Sequence, residues 1–373
     1  MSETSRKTRV LVVDDSVVMR RLLSEVISSD PALEVAGYAA NGQIALSLLD
    51  KVVPDIVTLD IEMPVMNGLA TLKAMRSAGR SLPVIMFSTL TQQGAEATID
   101  SLALGASDYV AKPGGTGAYS TARERIREAL LPKIKALCCR RPAGPQKPGD
   151  PVAFLRPCAG QSKRGSTAVN LVLIGCSTGG PNALAQILPT IPADFPAPVL
   201  IVQHMPPAFT RFLAQRLNGL CQLPVEEARQ GAPIKAGRMW VAPGGHHLAV
   251  KYERGQIRIR LTEDAPENSC RPSVDVLFRS VAQAGCSGVL AVVLTGMGQD
   301  GLRGSEHLSS AGAEIVAQDE ATSVVWGMPG FVVRAGLADA VLPISEIAPY
   351  LLKRVAARRL HSGAGMNVPA VAL

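Results

Sequence analysis

Val10-Leu11-Val12-Val13-Asp14-Asp15-Ser16 decides the fold of the first third of this chain, because four apolar residues run straight into two acids. A run that is apolar at every position, rather than at alternate ones, suits a strand covered on both faces, as in a parallel sheet. A second such run, Ile56-Val57-Thr58-Leu59, ends on Asp60. Ligands of parallel sheets gather beyond the carboxyl ends of the strands, so the three acids point at one crevice. Carboxylates forced together repel unless a cation lies among them. An oxygen-only donor set suits magnesium, which keeps several waters and accepts phosphate oxygens as partners.

The pattern repeats outward from there. Apolar runs near 34–39, 55–59, 83–87 and 107–110 alternate with amphipathic stretches beginning near Ser16, Asn41, Gly68, Gly94 and Thr121. Five strand–helix units predict a doubly wound parallel sheet. The fourth run ends on Ser88 and the fifth is followed by Lys112-Pro113, which brings a hydroxyl and an ammonium to the edge that holds the acids. Lysine can steady a transferred phosphoryl group as a point charge, and a hydroxyl can donate to one of its oxygens. Asp14-Asp15, Asp60, the loop Glu62-Met63-Pro64-Val65-Met66-Asn67-Gly68, Ser88, Tyr109 and Lys112-Pro113 together resemble a two-component receiver domain over residues 8 to about 130. The resemblance implies that Asp60 accepts phosphate from a sensor histidine kinase. It also implies magnesium held by Asp14, Asp15, Asp60 and the main-chain carbonyl of Glu62, with Ser88, Tyr109 and Lys112 as switch residues.

The chain has 373 residues, room for two domains that each bury a core. Its net charge of +7 raises the question of a nucleic-acid partner. Residues 132–168 answer it, since they hold eight basic residues and one acid, Asp150, and so carry the whole excess. That segment is rich in proline and glycine and reads as a linker, leaving the flanking domains near neutral with no basic recognition helix and no nucleic-acid partner. The expected division is a receiver at 1–131, the linker at 132–168, a catalytic domain at 169–355 and a disordered tail at 356–373. Seven cysteines lie scattered without disulfide or metal spacing, which suits a reducing cytoplasm. No run approaches membrane-spanning length, and direct membrane insertion is not expected.

A second strand–helix series starts at Asn170-Leu171-Val172-Leu173-Ile174 and predicts another mostly parallel α/β sheet with helices on both faces. Its first turn is Gly175-Cys176-Ser177-Thr178-Gly179-Gly180-Pro181. Two readings of this turn stay open: a phosphate-binding helix start, although no G-x-G-x-x-G spacing or P-loop lysine is present, and a nucleophile elbow exposing Ser177. An elbow needs a base and a carboxylate. Among five histidines, His204 ends the apolar run Val199–Gln203, on the edge that carries Ser177. The run Val289–Leu294 leads into Thr295-Gly296-Met297-Gly298-Gln299-Asp300-Gly301, which brings Asp300 to the same edge. Serine, histidine and aspartate there meet the needs of a general-base-activated hydroxyl nucleophile.

The order Ser177, His204, Asp300 differs from the serine, acid, histidine order of α/β-hydrolases. Ser177-Thr178-Gly179-Gly180-Pro181, Gln203-His204-Met205, Ala242-Pro243-Gly244-Gly245-His246-His247, Arg271-Pro272-Ser273-Val274-Asp275 and Thr295–Gly301 closely resemble the chemotaxis protein-glutamate methylesterase family, over residues 8 to about 350 with the receiver included. The resemblance implies hydrolysis of glutamyl methyl esters on methyl-accepting chemotaxis receptors, activated by phosphorylation, and deamidation of receptor glutamines. Backbone N–H groups near Thr178 and Met297 become oxyanion candidates, Arg271 a candidate for binding a receptor carboxylate, and no metal is needed at that site. Cys176 stands where alanine is expected, so a thiol nucleophile has to be weighed, and His246-His247 invites a zinc reading. A different class remains open: a phosphorylation-controlled adaptor or nucleotide-binding output module without turnover.

Overall fold

The computed structural model describes residues 6–113, 118–138, 169–253 and 255–362. The chain divides into two compact units, the first ending at Asp150. In the first, strands and helices alternate: β1 (Thr8–Val13), α1 (Val17–Ser28), β2 (Leu33–Ala39), α2 (Gly42–Val52), β3 (Ile56–Asp60), α3 (Gly68–Ser77), β4 (Val84–Ser88), α4 (Gln92–Ala103), β5 (Asp108–Ala111) and α5 (Tyr119–Cys138). Ser16, Asn41, Asn67 and Thr91 each stand just before a helix and accept a hydrogen bond from an N–H in its first turn. A cap of this kind contributes about 1 kcal/mol and sets where each helix begins.

The sheet is parallel, in the order β2-β1-β3-β4-β5. Every residue of β3 and β4 is buried, which is why their sequences show no polar alternation. The chain turns to opposite sides of β1 when it forms β2 and β3, so the β1–β3 boundary is the switch point, and Asp14 and Asp60 stand at it.

One expected boundary moves. Residues 132–138 were expected in the linker, yet α5 continues through Pro132 to Cys138. Its buried stripe Ile126, Leu130, Ile134, Leu137 keeps helical spacing past the proline. Lys133 and Lys135, counted with the linker charges, are ion-paired to Asp108 and Asp30 of the receiver. The remainder of the expected linker, 139–168, lies outside the described residues.

The second unit contains β6 (Leu171–Cys176), α6 (Gly180–Ile187), β7 (Val199–Gln203), α7 (Phe209–Leu220), β8 (Val225–Glu227), β9 (Met239–Val241), β10 (His247–Glu253), β11 (Gln256–Thr262), α8 (Val274–Gln283), β12 (Val289–Val293), α9 (Leu302–Ser310), β13 (Glu314–Gln318), α10 (Met328–Arg334), β14 (Ala340–Leu342) and α11 (Ile344–Ser362). Seven strands form a parallel sheet in the order β14-β13-β12-β6-β7-β9-β8. Its switch point lies between β6 and β12. The antiparallel hairpin β10–β11 stands apart from this sheet. α11 runs beyond the expected domain end at 355, and residues 363–373 of the expected tail lie outside the described part.

Gly68 ties the receiver loop to its strand. Its N–H donates to Ile61 O at 2.9 Å, and a Cβ there would lie 2.2 Å from Asp60 O and 2.9 Å from Ile61 Cα. Both neighbours are backbone, so Gly68→Ala forces the chain beside Asp60 to move. The expected loss is roughly 1–3 kcal/mol of receiver stability, read as an earlier transition in urea unfolding of the full chain. An unchanged unfolding curve would contradict the close approach.

Candidate functional site

At the receiver switch point, carboxylate oxygens of Asp14, Asp15 and Asp60 lie within 4.8 Å of one another. Asp14 and Asp60 are buried and Asp15 is exposed. The Lys112 ammonium bridges the two buried acids, 3.0 Å from Asp14 Oδ2 and 2.8 Å from Asp60 Oδ2. Apart from Lys112, those two oxygens have no hydrogen-bond donor among the described residues, which leaves lone pairs unsatisfied. A hard divalent cation is the partner that such a set lacks, and the donor chemistry fits one. Burial raises the Asp60 carboxyl to about 6; Lys112 opposes this and the Asp14 charge adds to it. The Glu62 N–H approaches Asp60 Oδ1 at 3.4 Å, so the loop expected to supply a carbonyl runs beside the acid.

Of the expected switch residues, Lys112 reaches the acids, whereas Ser88 and Tyr109 are engaged elsewhere. Ser88 is buried and its hydroxyl donates to Gly94 O at 2.9 Å, in the first turn of α4, and to Thr89 O at 3.1 Å. Tyr109 is buried, with the Lys133 ammonium 5.2 Å from its ring centroid. To meet a group on Asp60, Ser88 must exchange its bond to α4.

In the second unit, parallel register builds the site. Cys176 pairs with Gln203 across β6 and β7, and the residue just after β7, His204, donates its N–H to Cys176 O at 3.2 Å. On the other side, Ser177 N–H donates to Thr295 O at 3.0 Å. The exits of β6, β7 and β12 are therefore laced together one residue beyond the sheet, with Ser177 in the middle. Gly179, at φ 80°, makes the sharp turn into α6.

His204 Nε2 meets Asp300 Oδ2 at 2.7 Å. Asp300 is buried and accepts from many sides: Ser273 Oγ at 2.8 Å, Val274 N–H at 2.6 Å, Asp275 N–H at 3.0 Å and Asn268 Nδ2 at 2.9 Å. Two of these donors are the first N–H groups of α8, whose positive dipole end favours an anion. Burial alone would raise the Asp300 carboxyl; His204 and the α8 N–H groups outweigh it and hold the group well below the usual carboxylate range. Burial disfavours the His204 imidazolium, but Asp300 and then Cys270 prevail and raise it above its ordinary 6.5.

The far nitrogen, His204 Nδ1, lies 3.5 Å from Cys270 Sγ. Among the described residues no hydrogen bond joins Ser177 Oγ to His204, and bonds of this kind often tighten only when substrate is present. Of the expected oxyanion donors, Thr178 follows the serine directly, and Met297 follows Gly296, on which a Cβ would lie 2.9 Å from Ser177 Cβ.

Three other sequence expectations find different surroundings. Cys176 is fully buried, its sulfur is 3.7 Å from Val202 O, and burial pushes its thiol far above the ordinary range, surroundings that disfavour the thiolate a nucleophile needs. His247 is buried with both nitrogens on backbone: Nδ1 accepts from Ser273 N–H at 3.2 Å and Nε2 donates to Ala265 O at 3.1 Å. That leaves no lone pair for zinc, and its role is to hold Ser273 against Asp300. Arg271 Nη1 donates to Glu263 O at 2.7 Å and Asp264 O at 3.1 Å, which ties down its own loop. Sequence reasoning missed Asn268, Cys270, Ser273 and the supporting Asp275. The one available signal was Arg271-Pro272-Ser273-Val274-Asp275, in which only Arg271 was given a role; α8 starts within it, at Val274.

A phosphate-acceptor type of acid cluster on one sheet, and a histidine–aspartate pair beside a half-buried serine on the other, define a response regulator joined to an esterase-type unit. Residues 10–122 match the response regulator receiver domain family and residues 172–351 match the CheB methylesterase family. A protein-glutamate methylesterase/protein-glutamine glutaminase of Trichodesmium erythraeum is 48% identical over 94% of this chain and 99% of its own length. A protein of the same name from a Nocardioides strain is 49% identical over 94% of this chain and 96% of its own. The solved methylesterase catalytic domain of Thermotoga maritima CheB is 42% identical over 50% of this chain and 99% of that one, with a TM-score of 0.49. The chain belongs to the protein-glutamate methylesterase/protein-glutamine glutaminase family.

The raised Asp60 carboxyl has a stability consequence. Its folded value of about 6 lies above the ordinary 3.8, so the folded state holds the extra proton between them and stability falls as pH rises through that window. At pH 7.5 without divalent metal, Asp60→Asn should therefore stabilise the receiver, by on the order of 1 kcal/mol once the lost Lys112 contact is allowed for. The gain should shrink with excess magnesium and vanish near pH 3.5. Thermal unfolding of both proteins checks this; a destabilised Asp60→Asn receiver in metal-free buffer at pH 7.5 refutes it.

Proposed function

We propose that this chain is a phosphorylation-activated hydrolase that removes methyl esters from glutamate side chains of methyl-accepting chemotaxis receptors, giving glutamate and methanol. Receptor glutamines are deamidated by the same acyl transfer, with ammonia leaving. The observation that carries this reading is the His204–Asp300 contact of 2.7 Å, formed beside Ser177 where three parallel strands end. A binding module has no use for an imidazole tied to a buried carboxylate, which disfavours the adaptor alternative.

Ser177 Oγ attacks the ester carbonyl while His204 Nδ1 takes its proton, displacing the contact with Cys270. Asp300 holds the ring through Nε2 and stabilises the imidazolium that forms. N–H groups at Thr178 and Met297 face the developing oxyanion, where one donor is typically worth about 3–4 kcal/mol. His204 returns the proton to departing methanol, and a water repeats the sequence to release the carboxylate and restore Ser177. In the receiver, Asp60 takes phosphate from a sensor histidine kinase. Magnesium held by Asp14, Asp15, Asp60 and the Glu62 carbonyl would neutralise charge on the incoming phosphoryl group, with Lys112 beside it. Receptor substrates of this kind place the reaction in the cytoplasm, and among the described residues no helix is long and apolar enough to cross a membrane.

Ser177→Ala should lower methanol release from receptor-rich membranes by at least ~10³-fold, His204→Ala by a similar factor, and the double variant by no more than either. Activity retained in Ser177→Ala would end the serine mechanism. Because His204 must be neutral to act and its imidazolium is stabilised, kcat/KM should rise with pH through an apparent midpoint above 6.5. A midpoint at or below the ordinary histidine value would contradict the assignment of base. A small phosphodonor with magnesium should speed the full chain and leave Asp60→Asn unchanged; equal stimulation of both would remove Asp60 from the control.

A further inference from the structure

Residues Glu267–Cys270 form a tight turn closed by two backbone bonds, Glu267 N–H to Cys270 O at 3.1 Å and Cys270 N–H to Glu267 O at 2.9 Å. Its two central residues, Asn268 and Ser269, take left-handed backbone at φ 53° and 61°. That is the geometry of a mirror-image turn, which asparagine tolerates better than most residues. Glu267 is pinned from below by both ends of the Arg279 guanidinium, at 2.8 and 2.6 Å. The turn has no part in the sheet, yet it reaches two members of the proposed site. Cys270 touches His204, and Asn268 touches Asp300.

Asn268 does something more specific than pack. Its one amide nitrogen lies 2.8 Å from Asp275 Oδ2 and 2.9 Å from Asp300 Oδ1. Both acids are buried, Asp275 at 1% exposure and Asp300 at 2%. Asp275 also binds the chain around Asp300, accepting Gly301 N–H at 2.9 Å and Gly304 N–H at 2.6 Å. Two carboxylates meeting at a common donor repel, and the ordinary relief is to keep one proton between them. Burial and then the neighbouring Asp300 charge, against the Gly304 N–H, already push the Asp275 carboxyl up to about 6. Any proton that entered the pair would weaken the negative charge that Asp300 presents to His204.

We infer that Asn268 is a positioning residue for the base: by giving one amide hydrogen to each acid, it keeps Asp275 and Asp300 both ionised and so preserves the full charge of Asp300 beside His204. The strained turn exists to deliver that amide from the solvent side. The inference rests on His204 acting as the base, but its central quantity, the titration of one imidazole, is measurable without turnover.

The test is an NMR titration of the His204 ring in the full chain, identified by its absence in His204→Gln. Asn268→Gly suits the left-handed backbone and removes only the amide, so it should lower the His204 midpoint by ~1 pH unit. Asn268→Ser keeps a polar side chain too short to reach both acids, and should shift the midpoint in the same direction even if the glycine variant folds poorly. Adding Asp275→Asn to Asn268→Gly removes the repulsion and should restore the midpoint towards wild type. On receptor membranes, the acid limb of kcat/KM should follow these shifts while KM stays near its wild-type value. A His204 midpoint unchanged in Asn268→Gly, as would follow if a water replaced the amide, overturns the inference. So does a double variant that merely adds the two losses. If the wild-type chain releases no methanol, the proposed function fails while the titration still judges Asn268.

Discussion

A carboxylate removed from water must be compensated, and this chain places one at the working edge of each of its two parallel sheets. Asp60 and Asp300 are both almost fully buried at topological switch points, yet the protein treats them oppositely. Asp60 has Lys112 on one oxygen, a like charge in Asp14, and lone pairs left over. Asp300 has an imidazole, a hydroxyl, a side-chain amide and two helix N–H groups. The first arrangement leaves a carboxylate whose energy falls when a cation or another charge partner arrives. The second leaves one whose charge is settled before any substrate comes.

That difference matches what each acid is proposed to do. A phosphate acceptor has to act as a nucleophile, so surplus stabilisation would work against it. An orienting carboxylate has to remain charged while a proton moves nearby, and preorganised donors do this without rearrangement during the reaction. The same logic runs outward from Asp300: His247 holds the Ser273 backbone, Ser273 donates to Asp300, and Asp300 holds His204. The glycine-rich loop Gly244-Gly245 lies against Pro206 and Pro207, where any side chain on Gly244 would meet backbone, so the segment leaving His204 is clamped as well. Motifs far apart in the chain thus serve one carboxylate.

The two thiols near the serine separate for a physical reason that residue type cannot reveal. Cys176 sits at the last position of β6, where the parallel sheet buries both faces and burial disfavours its thiolate. Cys270 is far from the serine in sequence but comes from a tight turn that packs over the imidazole.

The residues that sequence alone located are those at the ends of apolar runs: Asp14, Asp15, Asp60, Ser88 and Lys112 in the first unit, and Ser177, His204 and Asp300 in the second. Parallel sheets make this possible, since a strand buried on both faces shows as an unbroken apolar run and its carboxyl end falls on a shared edge. Among the receiver helix starts, Ser16 and Asn41, where two amphipathic stretches begin, are capping residues, which act locally. Tertiary structure decided what no local pattern encodes. It carried α5 past Pro132 because a buried stripe continued beyond the proline. It turned Ser88 towards α4, spent Arg271 on loop carbonyls and His247 on backbone, and brought Asn268 and Cys270 over the His204–Asp300 pair. Those positions depend on how a hairpin, a turn and a helix start pack against the sheet edge, and packing is a property of surfaces that meet only in the folded chain.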